Sequence, residues 1–451
     1  MKKIGYINHS RDFIHLSVAF STLGCKVNRY ETDQVRQIFE GLGFRIVDEK
    51  DIADIYIVNT CTVTSEADRK SGQILRRFKK KNPDAIVAAM GCRSEIRSGV
   101  NQPQDADIAV GTGNRLQIVA DLIQALQDRY KDRLLLPEDW SGCEDYAGIP
   151  VISQEETRAY IKIEDGCDAF CTYCIIPFAR GRVRSRARDE IRHEAEILAS
   201  RGFREIVVTG IHLCSYGKDL GRGIDSLAEV LEDLCAIEGI HRIRLGSLEP
   251  KSLDEGFIRR IAALPKLCPQ FHLSLQSGCD STLKKMNRKY NTTDFRQAVD
   301  LLRQCFPNCA VTTDIIVGFP GESPEEHEQS LSFCSEISFS RIHIFPYSER
   351  EGTAAAGMRP KVSEADKEYR KNAFAEREKE LRRKYAESFV GKTCEVLVEG
   401  EAGPVTSPSG YTSEYVRCHI SSPVSLQSGV PVIVKIREAR EGELYGVLYT
   451  E

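Results

Sequence analysis

Three short apolar runs near the start of the chain, LSVAF, IYIVNTC and AIVAAMGC, each lead to a cysteine: Cys25, Cys61 and Cys92. Apolar runs of this length read as buried strands, and a helix-period stripe follows the first, with Val35, Ile38, Phe39 and Leu42 spaced i, i+3, i+4, i+7. A second helical stretch is expected from Thr64 to Lys81. Strands alternating with helices imply a parallel sheet, since a parallel neighbour is reached only by a crossover connection. Ligands bind such sheets beyond the C-terminal ends of the strands, so all three thiols are expected along one edge.

From Ala159 to Ser348 the alternation resumes on a larger scale, with candidate strands AYIKI, EIVVTG, RIRLGS, FHLSLQ, VTTDIIVG and RIHIFPYS. Helical stripes lie between them, Leu227, Val230, Leu231 and Leu234 in one and Phe295, Ala298, Val299 and Leu302 in another. A third helix opens at GESPEE, where Ser323 can cap and Pro324 suits the first turn. Six β/α units predict a partial TIM-like barrel, whose working face is the C-terminal end of its strands. The stretch 131–158 has Pro, Gly and no clear period, and reads as a linker. A charge-laced helix is expected over 363–389, opened by Ser363 and Asp366 in capping-box spacing, with Phe374, Leu381 and Tyr385 on one side. The remaining residues alternate apolar and polar with Gly-containing turns, the pattern of a small all-β module. The fold class is therefore α/β: an N-terminal open parallel sheet over 16–130, the linker, a central (β/α)6 barrel over 159–388 including the charged helix, and a small all-β module over 389–451.

At 451 residues the chain is long enough for about three domains, and 41% hydrophobic with 28% charged residues excludes a disordered or fibrous protein. No apolar run approaches the roughly 20 residues of a membrane helix, and the basic start lacks the apolar core of a signal peptide, so a cytoplasmic location and no membrane partner are expected. In such a compartment sixteen cysteines point to metal ligation or catalysis rather than disulfides. The net charge of −4 leaves nucleic-acid binding to local patches.

The densest cysteine cluster is EDGCDAFCTYCIIPFARGRVRSR, over 164–186, where Cys167, Cys171 and Cys174 follow a Cys-x3-Cys-x2-Cys spacing. One loop of this length can bring three thiolates to one inorganic centre. Structural zinc needs a fourth ligand, typically from a second paired motif, and none appears downstream. A four-iron cubane with three protein ligands leaves one iron open for a substrate or cofactor. A non-catalytic, zinc-stabilised RNA-binding protein is the remote alternative.

This loop, with Tyr173 before its last cysteine, resembles that of the radical S-adenosylmethionine (SAM) enzymes, in which the open iron chelates SAM and an electron from the cluster cleaves it to a 5′-deoxyadenosyl radical. With three upstream cysteines and a C-terminal β module, the chain from about residue 16 onward is similar to the methylthiotransferases. That resemblance implies two [4Fe–4S] clusters, an auxiliary one on Cys25, Cys61 and Cys92 and a radical-generating one on Cys167, Cys171 and Cys174. By themselves the first three, 36 and 31 positions apart, have no motif spacing and read as single buried thiols at strand ends. The other cysteines, Cys214 and Cys279 included, read as packing or surface thiols.

Cofactor-binding candidates at the strand ends are Tyr173, Thr209, Gly210, Ser247, Glu249, Gln276, Ser277 and Asp314, with Phe345 placed to stack on adenine. Arg180, Arg182, Arg184, Arg186 and Arg188 alternate, so an extended backbone would line them up as one cationic ribbon for RNA phosphates or the SAM carboxylate. Arg76–Lys81, RRFKKK, would add a second patch. The β module resembles a TRAM domain, an RNA-binding barrel, yet residues 390–451 carry five Lys/Arg against eight Asp/Glu, which argues against broad phosphate attraction.

The stretches TLGCKVNRYET, NTCTVTSEADRK and RLGSLEP are most similar to the branch that acts on threonylcarbamoylated adenosine. That likeness implies insertion of a methylthio group at C2 of N6-threonylcarbamoyladenosine-37 in the tRNA anticodon loop, with an electron donor such as flavodoxin or ferredoxin and a sulfur source as partners. Isopentenyladenosine in tRNA and an aspartate of a ribosomal protein are the alternative substrates.

Overall fold

The protein is described by a computed structural model over residues 15–97, 105–113, 117–130, 150–151, 157–400 and 408–449. Cys143 and most of the expected linker lie outside the described residues. The chain forms two compact units. The first holds the N-terminal sheet together with Gly166–Ala169 and Cys174–Arg182; the second holds 155–165, Phe170–Tyr173 and the chain from Val183 onward.

In the first unit, β1 (Ser17–Thr22), α1 (Lys26–Gly41), β2 (Arg45–Val47), β3 (Ile55–Thr60), α2 (Ser65–Lys81), β4 (Ile86–Gly91), α3 (Cys92–Arg97), β5 (Ile108–Val110) and α4 (Gln117–Tyr130) alternate as their periodicity requires. The sheet is parallel in the order β2-β1-β3-β4-β5. Val35, Ile38, Phe39 and Leu42 are all buried on one of its faces, and Tyr56 stacks on Phe78 of α2 on the other, ring centroids 4.3 Å apart. Helix α2 starts where Thr64 accepts a hydrogen bond from the Ala67 amide.

The second unit contains β6 (Ala159–Lys162) and β7 (Glu164–Asp165); α5 (Ile176–Arg180) belongs to the first; then come β8 (Arg184–Ser185), α6 (Arg188–Ser200), β9 (Glu205–Thr209), α7 (Asp225–Ala236), β10 (Arg242–Leu245), β11 (Ser247–Leu248), α8 (Glu255–Ala262), β12 (Gln270–Leu273), α9 (Asp280–Lys285), α10 (Thr292–Cys305), β13 (Ala310–Val317), α11 (Pro324–Ile337), β14 (Arg341–Pro346), α12 (Ala354–Gly357) and α13 (Glu364–Glu387). All six expected strands form. RIRLGS is split at Gly246 into β10 and β11, where a side chain would press on Leu213 and the Val208 carbonyl, so the parallel pairing runs β10-β9-β6 and β11-β12-β13-β14. Ser323 and Glu326 complete a capping box at α11. Ser363 caps α13 by accepting from the Asp366 amide, and Phe374 and Leu381 join the barrel's helix-side core.

Strand residues facing the helices are apolar: Ile161, Ile206, Val208, Ile243, Phe271, Leu273, Val311 and Ile315 belong to one buried cluster. The alternate residues, on the inner wall, are mostly polar, among them Lys162, Glu205, Arg242, Arg244, Gln270, His272, Thr312, Asp314 and His343, with Val207, Ala310, Ile316 and Phe345 as apolar members. A closed TIM barrel fills this space with branched apolar side chains, and this one does not. At the N-terminal end of the wall, Arg244 donates to Glu205 (2.8 Å) and to the Ser413 carbonyl (2.9 Å), and Arg242 donates to Glu395 (2.8 Å) and the Tyr411 carbonyl (3.0 Å). Apart from Glu205 on β9, these acceptors belong to, or adjoin, the C-terminal closed barrel, β15 (Thr393–Glu399), β16 (Ser409–Thr412), β17 (Arg417–Ser421), β18 (Pro431–Arg440) and β19 (Glu443–Leu448), in the order β15-β16-β17-β19-β18. Removing one member of a buried charge pair leaves the other uncompensated. Arg244→Ala is therefore expected to cost about 3–5 kcal/mol in urea unfolding, and an unchanged midpoint would show that the pair carries no such weight.

Candidate active site

Parallel strands deliver their C-terminal ends to one edge, and the three N-terminal cysteines stand there. Cys25 is the N-cap of α1, Cys61 follows β3 directly, and Cys92 follows β4 as the first residue of α3. Two glycines make these exits possible. Gly24 has φ +108°, and a Cβ there would lie 3.2 Å from the Cys61 Cβ; Gly91 has φ +97°, and a Cβ there would lie 2.4 Å from Asn59 Oδ1. Cys25, Cys61 and Cys92 are close enough to act on one another electrostatically. Burial, opposed by the Arg180 guanidinium and reinforced by Glu31 and the other two thiols, pushes Cys92 up to about 12; Cys61 is raised chiefly by burial as well. Cys61 and Cys92 are buried and Cys25 is exposed, and an iron–sulfur cluster would take all three as thiolates.

Arg180 organises this edge. Its guanidinium donates to both oxygens of Glu31 (2.8 and 3.2 Å) and to Asn28 Oδ1 (2.7 Å), all buried. Asn28 in turn donates to the carbonyls of Leu23 (2.7 Å) and Thr60 (3.2 Å), just before Cys25 and Cys61, and its Oδ1 lies 3.7 Å from Cys25 Sγ.

In the second unit, Cys171 is buried, and Arg288 Nη1 donates to its sulfur at 3.1 Å. The same guanidinium reaches Tyr290 Oη (2.9 Å), the Ser274 carbonyl (3.3 Å) and Glu249 (3.3 Å). Glu249 also meets His212 Nε2 at 3.0 Å. Burial would raise the Glu249 carboxyl, but the His212 hydrogen bond and charge, with Arg288 and Lys251, outweigh it and hold it below its ordinary value. Residues 170–173 are strapped down by Thr172, whose amide and hydroxyl donate to the carbonyls of Met286 (3.1 Å) and Lys285 (2.9 Å). Tyr173 packs beside Met286, Phe319 and Tyr347. No disulfide joins the described cysteines, as a ligand set requires.

The remaining candidates take ordinary places around this centre. Thr209 ends β9, and Gly210 leaves room for Glu164, whose Oε1 would be 2.4 Å from a Cβ there. Ser247 is exposed on β11. Gln276 adopts φ +70° and donates its amide to the Asp314 carbonyl (2.9 Å), and buried Ser277 accepts from the Cys279 amide (3.3 Å). The Asp314 carboxylate faces His272, and Phe345 is half exposed at the end of β14. Cys214 accepts from the Glu249 amide (3.3 Å) and is pushed up to about 12 by burial, so it supports the site from beneath; Cys279 packs on Gln329.

The arginine ribbon does not form. The backbone from 180 to 188 is a helix end, a two-residue strand and a helix start, and acidic partners from elsewhere claim the side chains. Arg180 is buried against Glu31, Arg186 donates to buried Glu194 (2.7 Å), and Arg188 grips Glu229 and Asp233. Arg182 and Arg184 lie 3.7 Å from Asp168 and 3.8 Å from Asp165, with side chains 81% and 51% exposed. The RRFKKK patch is likewise part-neutralised, Arg76 by Asp105, Arg77 by Glu49 and Lys79 by Asp107. Arg288 and His212 carry no motif in the sequence; only the turn after α9 and the loop after β9 bring them in.

Residues 161–334 match the Radical SAM superfamily, and residues 17–111 match the family described as Uncharacterized protein family UPF0004. The chain is 35% identical over 435 residues to the threonylcarbamoyladenosine tRNA methylthiotransferase MtaB of Bacillus subtilis (strain 168), covering 95% of each chain. The chain belongs to the radical SAM methylthiotransferase family. The Aquifex aeolicus (strain VF5) protein of the same name is 37% identical over 85% of this chain and 93% of its own. The tRNA-2-methylthio-N(6)-dimethylallyladenosine synthase of Bacillus velezensis (strain DSM 23117 / BGSC 10A6 / LMG 26770 / FZB42) is 35% identical over 95% of this chain and 85% of its own. In fold the chain is similar to the radical S-adenosylmethionine methyltransferase TsrM from Kitasatospora setae, with a TM-score of 0.53 and 14% identity over 75% of this chain and 74% of that one. The enzyme is a sulfur-inserting transferase, and members of its family use SAM and two [4Fe–4S] clusters. The gathered N-terminal thiols suit one such cluster.

Glu164 gives the site a pH signature. Burial, with Asp165 adding and the amides of His212 and Ile211 opposing, pushes its carboxyl up to about 8. The unfolded chain releases that proton near about pH 4, so folding takes up a proton between the two values. The stability contributed is full below the unfolded value and is lost as pH rises toward the folded one. Glu164→Gln should therefore flatten the decline in stability between about pH 5 and pH 8 relative to the parent, measured by urea unfolding. Identical slopes in parent and variant would contradict the assignment.

Proposed function

We propose that the protein converts N6-threonylcarbamoyladenosine at position 37 of tRNA to its 2-methylthio derivative. The carrying observation is the 35% identity to a threonylcarbamoyladenosine tRNA methylthiotransferase across 95% of both chains. A dimethylallyladenosine synthase of equal identity supports isopentenyladenosine as the second reading, although this chain spans only 85% of that longer protein. His272, Asp314 and His343 on the inner wall favour the first, because a polar arm can hydrogen-bond to them and an apolar one cannot.

In this reading Cys167, Cys171 and Cys174 hold the radical-generating cluster, and Cys25, Cys61 and Cys92 the auxiliary one. When bound, the two clusters supply the electron that cleaves SAM and the sulfur that is inserted, chemistry that side-chain acids and bases cannot perform on an unactivated aromatic C–H bond. The protein's own residues do the holding. Arg288 sets positive charge beside the Cys171 thiolate and orients Glu249, which with His212 offers polar partners to the amino-acid end of SAM. Tyr173, Thr209, Gly210, Ser247, Gln276, Ser277 and Phe345 complete the cofactor-binding set, and Arg182 and Arg184 contact the RNA backbone. A flavodoxin or ferredoxin delivers electrons, a sulfur source renews the auxiliary site, and the protein works in the cytoplasm, consistent with the lack of a helix long and apolar enough to cross a membrane among the described residues.

After anaerobic reconstitution, Cys171→Ala should abolish SAM cleavage, whereas Cys61→Ala or Cys92→Ala should keep cleavage and lose methylthio product. Nucleoside mass spectrometry of tRNA from cells lacking the protein should show the threonylcarbamoyl precursor accumulating. Equal SAM cleavage by Cys171→Ala, or loss of the isopentenyl-derived product instead, would refute the assignments.

A further inference from the structure

The inner wall carries a polar cluster that the cysteine sites do not use. His272 on β12, Asp314 on β13 and His343 on β14 place one nitrogen or carboxylate oxygen each within 4.8 Å of the others. The strand pairing fixes this arrangement: His272 stands opposite Thr312, and Asp314 opposite His343. His272 Nδ1 lies 3.0 Å from Thr312 Oγ1 and Nε2 lies 3.3 Å from Asp314 Oδ2, so the ring is held at both nitrogens. The two imidazole rings are 5.9 Å apart. The neighbours Phe271 and Leu273 point to the apolar helix side. The His272 and Asp314 side chains keep 14% and 30% exposure, so the cluster faces open space in the barrel. One strand repeat toward the N-terminal end, Gln270 joins the Arg244–Glu205 layer that ties the wall to the C-terminal barrel.

A carboxylate beside two imidazoles offers an acceptor and donors within one small arc. A ureido arm ending in a carboxylate and a hydroxyl has the matching donors and acceptors, and a branched hydrocarbon arm has none. A site built to hydrogen-bond a polar substituent rejects an analogue that lacks it, because its own groups are left desolvated and unpaired. We propose that His343, with His272 and Asp314, reads the polar arm on N6 of the target adenosine. The inference rests on the reading above that this arm is threonylcarbamoyl, and it assigns Asp314 to the substrate rather than to SAM.

The test uses the full-length reconstituted enzyme, its His343→Leu and His343→Gln variants, and anticodon stem-loop RNAs carrying threonylcarbamoyladenosine, isopentenyladenosine or plain adenosine. The parent should prefer the threonylcarbamoyl RNA in kcat/KM and in affinity. His343→Leu should shrink that preference roughly 10- to 100-fold, with His343→Gln, which keeps a donor, in between. SAM affinity in each variant reports whether the cofactor site is intact, and the Gln variant serves if the Leu variant fails to fold. A parent that prefers the isopentenyl RNA overturns the functional reading. A parent that prefers the threonylcarbamoyl RNA, with variants of undiminished preference, overturns this inference alone. Weakened SAM binding that tracks the loss would assign the cluster to the cofactor. A stoichiometric Co(II) site present in the parent and absent in His343→Leu would assign it to a metal, and either result overturns the proposal.

Discussion

The auxiliary thiols of this protein depend on parallel strands of one sheet ending at a common edge. A parallel sheet sends each strand out the same way, so any residue type placed just after a strand is gathered with its counterparts without contact along the sequence. Cys25, Cys61 and Cys92 are gathered in this way by β1, β3 and β4. The cost falls on the backbone, which must turn sharply where the strand stops. Gly24 and Gly91 carry that turn in conformations that a side chain would obstruct.

A second constraint is the buried pair of Arg180 and Glu31, with side-chain exposures of 0% and 1%. Arg180 follows the Cys-x3-Cys-x2-Cys loop by six residues and Glu31 follows Cys25 by six, so the pair fastens the segment after one cysteine set to the helix that begins at the other. A buried ion pair of this kind adds little net stability over a well-packed apolar contact, but it tolerates few geometries. Asn28 extends it to the carbonyls beside Cys25 and Cys61. The arrangement suits a site whose ligands must meet in one small volume.

Much of this was legible in the sequence because it is written in local periodicity. The helix stripe of α1, the Thr64 start of α2, the capping box of α11 and the six barrel strands all follow from residues within a turn or a strand of one another. The C-terminal barrel followed from alternation and turn residues. What local pattern could not supply were partners distant in the chain. The alternation of Arg180 to Arg188 read as a ribbon because Glu31, Glu194, Glu229 and Asp233, which claim three of the five, lie outside the motif. Arg288 reaches Cys171 across 117 positions, and the joining of His272, Asp314 and His343 appears only when three strands are laid side by side. At the break, Gly246 sits where a side chain would meet Leu213 and the Val208 carbonyl, again remote in sequence.

The central claim is that the two cysteine triads hold two centres of different kind, one open to SAM and one not. Electron paramagnetic resonance of the reduced protein, with and without SAM, tests it directly on two triple variants. The protein with Cys25, Cys61 and Cys92 replaced by alanine should keep a cluster signal that shifts when SAM is added. The protein with Cys167, Cys171 and Cys174 replaced should keep one that does not. A SAM-induced shift in the second variant, or none in the first, would contradict the account.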